Sequence, residues 1–156
     1  MSFKQDPQLT MRQFKQKIQA IEQLTINVGI PKEVKAEKTE EEMYVADIAF
    51  ENNFGVFSKN IPARPFGSTV EKKYESKIKE VINNEMNLYF IGKKSLKKAY
   101  NRIGLFVKGY MQHNLRFGGW KANRPVTIAL KGSAQPLIDT GQMRQSITYV
   151  VAEKEK

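Results

Sequence analysis

Pro136-Leu137-Ile138-Asp139-Thr140-Gly141-Gln142-Met143-Arg144-Gln145-Ser146-Ile147-Thr148-Tyr149 admits two readings, and each entails a different fold. As chemistry, residues 137–141 present an aspartate on a Thr-Gly turn, the arrangement used when two carboxylates share a proton. As structure, the same residues open a short helix that runs into a terminal strand. Asp139 is then the helix cap and Gln142, three positions on, completes a capping-box-like pair. The catalytic reading requires an all-β barrel, the structural one a mixed fold.

The rest of the chain favours the mixed fold. Residues 7–24 carry Met11, Phe14, Ile18, Ile21 and Leu24 at spacings of three and four, predicting an N-terminal helix within residues 1–24. Residues 25–30 alternate as a strand with Ile26, Val28 and Ile30 on one side, and Pro31 ends it. A short helix is expected over 44–53, closed by Asn53-Phe54-Gly55. A long one is expected over 68–90 through Val70, Tyr74, Ile78, Val81 and Met86, with Gly92 at its end. Ser95 is a candidate N-cap for a further helix to Arg116, whose apolar seam reads Leu96, Ala99, Ile103, Phe106 and Tyr110. Residues 117–135 read as loop with an extended stretch at 126–130, and 146–151 as a strand with Ile147, Tyr149 and Val151 on one face. The expected fold is α+β: two long antiparallel helices plus shorter helices, packed on a small, mainly antiparallel sheet that includes the C-terminal strand. It is expected to form one domain over residues 1–156, with the charged loop 32–43 and the tail 152–156 mobile.

Composition narrows the function. The 156 residues include no cysteine, so neither disulfide nor thiolate chemistry is available. The first 25 residues are charged throughout, unlike a signal peptide, and no apolar run approaches a membrane span. The net charge of +10 is concentrated: no acidic residue stands between Glu85 and Asp139, while ten Lys and Arg residues do. The other 16 basic residues balance the 16 acidic ones, so this segment carries the whole excess. Lys94, Lys97, Lys98, Arg102, Lys108, Arg116, Lys121 and Arg124 are therefore candidate contacts for DNA phosphates or for an acidic protein partner. The residues leave that choice open.

Other motifs carry less. Aspartic proteases of the dimeric retroviral type match only 137–141, and in them most of the barrel follows that loop; here 15 residues follow Gly141. His113, the one histidine, has no Cys, Asp or Glu near it in sequence, which argues against a metal site or triad. Lys131-Gly132-Ser133 lacks the upstream glycine of a phosphate loop, since Val126 stands there. No cofactor is implied. Ile61, Pro62, Arg64, Pro65 and Phe66, with Phe117, Trp120, Asn123 and Pro125, form two rigid segments rich in the residue types that anchor protein interfaces.

Taken in order, several segments resemble a known family. They are Val28-Gly29-Ile30-Pro31; Phe54-Gly55; Ile61-Pro62-Ala63-Arg64-Pro65-Phe66; Gly119-Trp120 with Asn123 and Pro125; Thr127-Ile128-Ala129-Leu130-Lys131-Gly132-Ser133; and Pro136 to Met143 leading into Ser146-Ile147-Thr148-Tyr149. Over roughly residues 25–151 this order is similar to the virion-morphogenesis, tail-completion and neck (head-tail joining) proteins of tailed bacteriophages, the Mu-like type included. The family more often has an acidic residue where Asn53 stands. The resemblance implies a non-enzymatic structural subunit made in the bacterial host cytoplasm and incorporated in the virion. Its expected partners are copies of itself in a ring, neighbouring neck, connector and tail-terminator proteins, and packaged DNA, with no membrane. A free-standing basic nucleic-acid-binding domain is the alternative; a protease acting through Asp139 is a distant third.

Overall fold

The computed structural model describes residues 10–37, 43–132, 134–137 and 141–154. In chain order the elements are α1 (Met11–Glu22), β1 (Leu24–Gly29), α2 (Val45–Phe54), a 3-10 turn (Phe57–Lys59), α3 (Val70–Lys73), α4 (Glu75–Phe90), α5 (Leu96–Phe117), α6 (Pro125–Lys131), α7 (Gln142–Ser146) and β2 (Thr148–Glu153). The fold is α+β: β1 and β2 form a two-stranded antiparallel sheet that includes the C-terminal strand.

The chain divides into two compact units. The first comprises Met1–Val28, Tyr74–Val107 and Tyr149–Lys156. Its core joins Met86 and Phe90 of α4 to Ala99, Tyr100 and Ile103 of α5, with Phe14, Ile18 and Ile21 of α1 and Ile26 and Val151 of the sheet against them. Burying side chains of this size contributes roughly 1.5–3 kcal/mol each. Polar bonds tie α1 down: the Tyr100 hydroxyl donates to Ile21 O at 3.0 Å and Lys17 Nζ donates to Tyr89 O at 2.8 Å. A cation at those carbonyls also complements the negative end of α4. α1 starts at a capping box, where Thr10 Oγ1 accepts from Gln13 N and Gln13 Oε1 accepts from Thr10 N. Gly104 lies flat under the Tyr149 ring, and a Cβ there would stand 2.4 Å from it.

The second unit comprises Gly29–Lys73 and Lys108–Thr148. Leu115 and Ile147 are fully buried in it, with Val45, Ala49, Phe66, Val70 and Leu137 also in its interior. α2 packs against α7. α2 ends at Gly55 (φ +79), where a Cβ would lie 2.7 Å from Ala63 N. After it, Val56 and Ile61 exchange backbone hydrogen bonds of 2.9 and 3.0 Å, and Asn60 takes the left-handed conformation that closes this small hairpin. Residues 61–66 are thereby laid back along the end of α2.

Several expectations are corrected. Residues 126–130 are not extended: they lie in α6, where Pro125 occupies the first turn and Gly132 (φ +69) follows the last. The helix expected over 68–90 is interrupted at Tyr74, whose φ of −114 and ψ of 18 separate α3 from α4. On α5 the buried positions are Ala99, Tyr100, Ile103, Gly104, Asn114 and Leu115, whereas Phe106 and Tyr110 are only half-buried. Phe106 instead takes the Arg102 guanidinium over its ring at 4.7 Å.

The candidate site: a cleft built around Arg64

The hairpin and the two segments singled out in the sequence converge in the second unit on a cleft of about 720 Å³. Ile61, Pro62, Arg64 and Asn123 line it together with Lys121, Arg124 and Gln142. Arg64 is its organising residue, only 6% exposed. Its Nε donates to Lys121 O at 3.0 Å, Nη1 to Asn52 Oδ1 at 3.2 Å and Nη2 to Asn123 Oδ1 at 3.1 Å. Both amides are held in turn: Asn52 Nδ2 donates to Ile48 O at 2.8 Å, and Asn123 Nδ2 to Gln135 O at 3.3 Å. Backbone bonding adds Arg64 N to Asn52 O at 2.8 Å. All three acceptors of the guanidinium are neutral, and burial pushes the Arg64 pKa below its ordinary value. Leu137, also in the wall, is buried at φ +62, a conformation that costs a non-glycine residue about 1 kcal/mol or more.

Gln142 is part of this wall. It is the first residue of α7, whose N-cap is Gly141, and its side chain bridges to the backbone of residues 35–37. Gln142 Oε1 accepts from Glu37 N at 2.9 Å and Nε2 donates to Lys35 O at 2.8 Å. Asp139, the expected cap, lies outside the described residues.

The other expected interface residues separate. Phe66 is core, 4% exposed. Trp120 is half-buried: its Nε1 donates to Asn114 O and Leu115 O at 3.1 and 3.0 Å, satisfying carbonyls near the end of α5. Pro65 O accepts from Thr69 N, and Pro125 starts α6. Phe117 remains 58% exposed, with His113 stacked on it at 4.9 Å and the Arg116 guanidinium at 5.0 Å.

The expected cationic contacts fall in both units. Lys94, Lys97, Lys98 and Arg102 belong to the first unit, and Lys108, Arg116, Lys121 and Arg124 to the second. Lys94 is taken up by an ion pair with Glu85, while Lys97, Lys98 and Arg102 are exposed on α5. Among the described residues no group of Asp, Glu, His or Cys could hold a metal ion, and no helix is long and apolar enough to cross a membrane.

Three features escaped the sequence reading. Asn114 is fully buried, with Nδ2 donating to Phe66 O at 2.7 Å and Oδ1 accepting from Lys73 Nζ at 2.9 Å. Its signal was present: the face Ile103, Val107, Met111 continues onto position 114 at helical spacing. Asn53 accepts from Gly67 N and Ser68 N and donates to Ser68 Oγ. An acidic residue could accept those backbone bonds, but at Ser68 Oγ it would accept where Asn53 donates. Finally, Phe50, Phe54 and Phe57 are 64%, 59% and 99% exposed, as is Leu130 at 84%. Comparison with protein families, with curated proteins and with solved structures finds no match to this chain.

Proposed function

We propose that this chain is a structural virion protein of a tailed bacteriophage, assembling as a ring-shaped oligomer in the neck, where head and tail are joined and the tail is completed around the DNA channel. The order of motifs from Val28 to Tyr149 is the sequence support for this reading. The observation that carries its central element, assembly, is the exposure of Phe50, Phe54 and Phe57 in the second unit. Phe50 and Phe54 stack on each other at 4.8 Å in full view of solvent, and Phe57 is almost wholly bare. Scattered apolar residues on a surface are ordinary, but three phenylalanines within eight positions are an interface composition.

Electron microscopy and sedimentation of the purified chain test the proposal. Concentrated wild-type protein should form closed rings, and Phe54→Glu with Phe57→Glu should leave monomers with an unchanged circular dichroism spectrum. Wild-type protein that stays monomeric alone and with every phage neck component offered would defeat it. The alternative of a free-standing nucleic-acid-binding domain draws on the exposed Lys97, Lys98 and Arg102. Tight, steeply salt-dependent duplex binding by such a persistent monomer would favour that alternative.

A further inference from the structure

The Arg64 cleft has the composition of a binding site with part of its bonding capacity unspent. A guanidinium carries five N–H donors, and the three bonds to Lys121 O, Asn52 Oδ1 and Asn123 Oδ1 leave two of them open among the described residues. No carboxylate among the described residues pairs with it. A buried cation held only by neutral dipoles has an unmet preference for an anion, and the planar guanidinium fork matches a carboxylate. Charge on the rim has the same sign: Lys121 and Arg124 are exposed there, Lys59 is paired with Glu51, and among the described residues Glu37 is the one acid of the lining. The rest of the lining mixes polar Asn60 and Thr127 with apolar Ile48, Ile61 and Val126, the last 62% exposed. A cleft of about 720 Å³ accepts a few amino-acid residues and excludes a duplex. Apolar side chains beside the guanidinium, Ile61 and Val126 among them, favour a peptide over a bare phosphate.

We propose that this cleft binds an acidic peptide segment of a partner protein, one carboxylate seated against Arg64 and the flanking apolar side chains against Ile61 and Val126. This refines the assembly reading by naming the chemistry of one contact. Ring formation is scored separately, so either can fail alone.

The test is fluorescence anisotropy with a labelled, end-blocked short peptide of alternating leucine and aspartate, against the same peptide with asparagine in place of aspartate. The acidic peptide should bind about tenfold or more tightly than the amide peptide at physiological ionic strength. Val126→Asp and Arg124→Glu, both at exposed positions, should each weaken it about tenfold while circular dichroism stays unchanged. Equal binding of the two peptides, or full binding by both rim variants, would overturn the proposal. Displacement of the peptide by millimolar inorganic phosphate would show a simple anion site, and a cleft opened only by dilution would show a second copy of this chain as its occupant. Either outcome rejects an acidic partner peptide.

Discussion

Asn114 and Arg64 show how single side chains organise the second unit. Asn114 has its amide nitrogen on Phe66 O and its oxygen on Lys73 Nζ inside a fully buried environment. Asn114→Leu would fill the same space but leave Phe66 O without that donor, so a loss of about 2–3 kcal/mol is expected in urea unfolding followed by Trp120 fluorescence. Arg64→Lys keeps the charge but cannot reach Lys121 O, Asn52 and Asn123 together. In the first unit, Gly104→Ala sets a methyl group against Tyr149 at 2.4 Å, within a packed sheet-to-helix contact. Overpacking of this kind should cost about 1–3 kcal/mol, measured as a lower urea midpoint with an unchanged slope. None of these three roles could be read from residue type. Arg64 stands out in the sequence because arginine is a residue type that anchors interfaces, yet its structural partners are a backbone carbonyl and two asparagines with no distinguishing sequence context.

At the scale of elements, legibility followed the strength of the local signal. α5 was readable along its length because Ser95 caps it, the hydroxyl accepting from Lys98 N at 3.4 Å, and because its apolar spacing persists. α6 was misread because Val126, Thr127 and Ile128 are β-branched, while the stronger cue was Pro125 before and Gly132 after. The break at Tyr74 has no Pro or Gly to announce it. The contact of α1 with α5 carries a pH signature. Burial, then the nearby Tyr89, raises the Tyr100 pKa above its ordinary value, while in the unfolded chain the phenol ionises near pH ~10. The folded state thus holds a proton that the unfolded state releases, so stability is full below that pH and falls as pH rises through the folded pKa. Denaturation midpoints should decline on the alkaline side, and Tyr100→Phe should flatten the decline while losing the bond to Ile21 O.

For the whole molecule, the sequence makes the excess charge look like one basic block, but the structure divides it between two units and neutralises part of it. Lys94 is paired with Glu85, and of the other expected contacts Lys97, Lys98, Arg102, Lys108 and Arg116 lie on α5 while Lys121 and Arg124 follow it. This separates two roles for the net charge of +10. If the exposed cations of the first unit face DNA, each phosphate contact contributes about 0.9 to the slope of log affinity against log salt. Lys97→Glu with Lys98→Glu should then lower affinity for a short duplex and reduce that slope by about 1–2, measured by anisotropy over a salt series. Lys94→Ala should leave the slope nearly unchanged and instead loosen the turn between α4 and α5, because its charge is already spent on Glu85. Neither change touches Phe50, Phe54 or Phe57, so ring formation should persist in both. A slope unaffected by the double reversal would assign the first unit's charge to an acidic protein neighbour and remove DNA from its contacts.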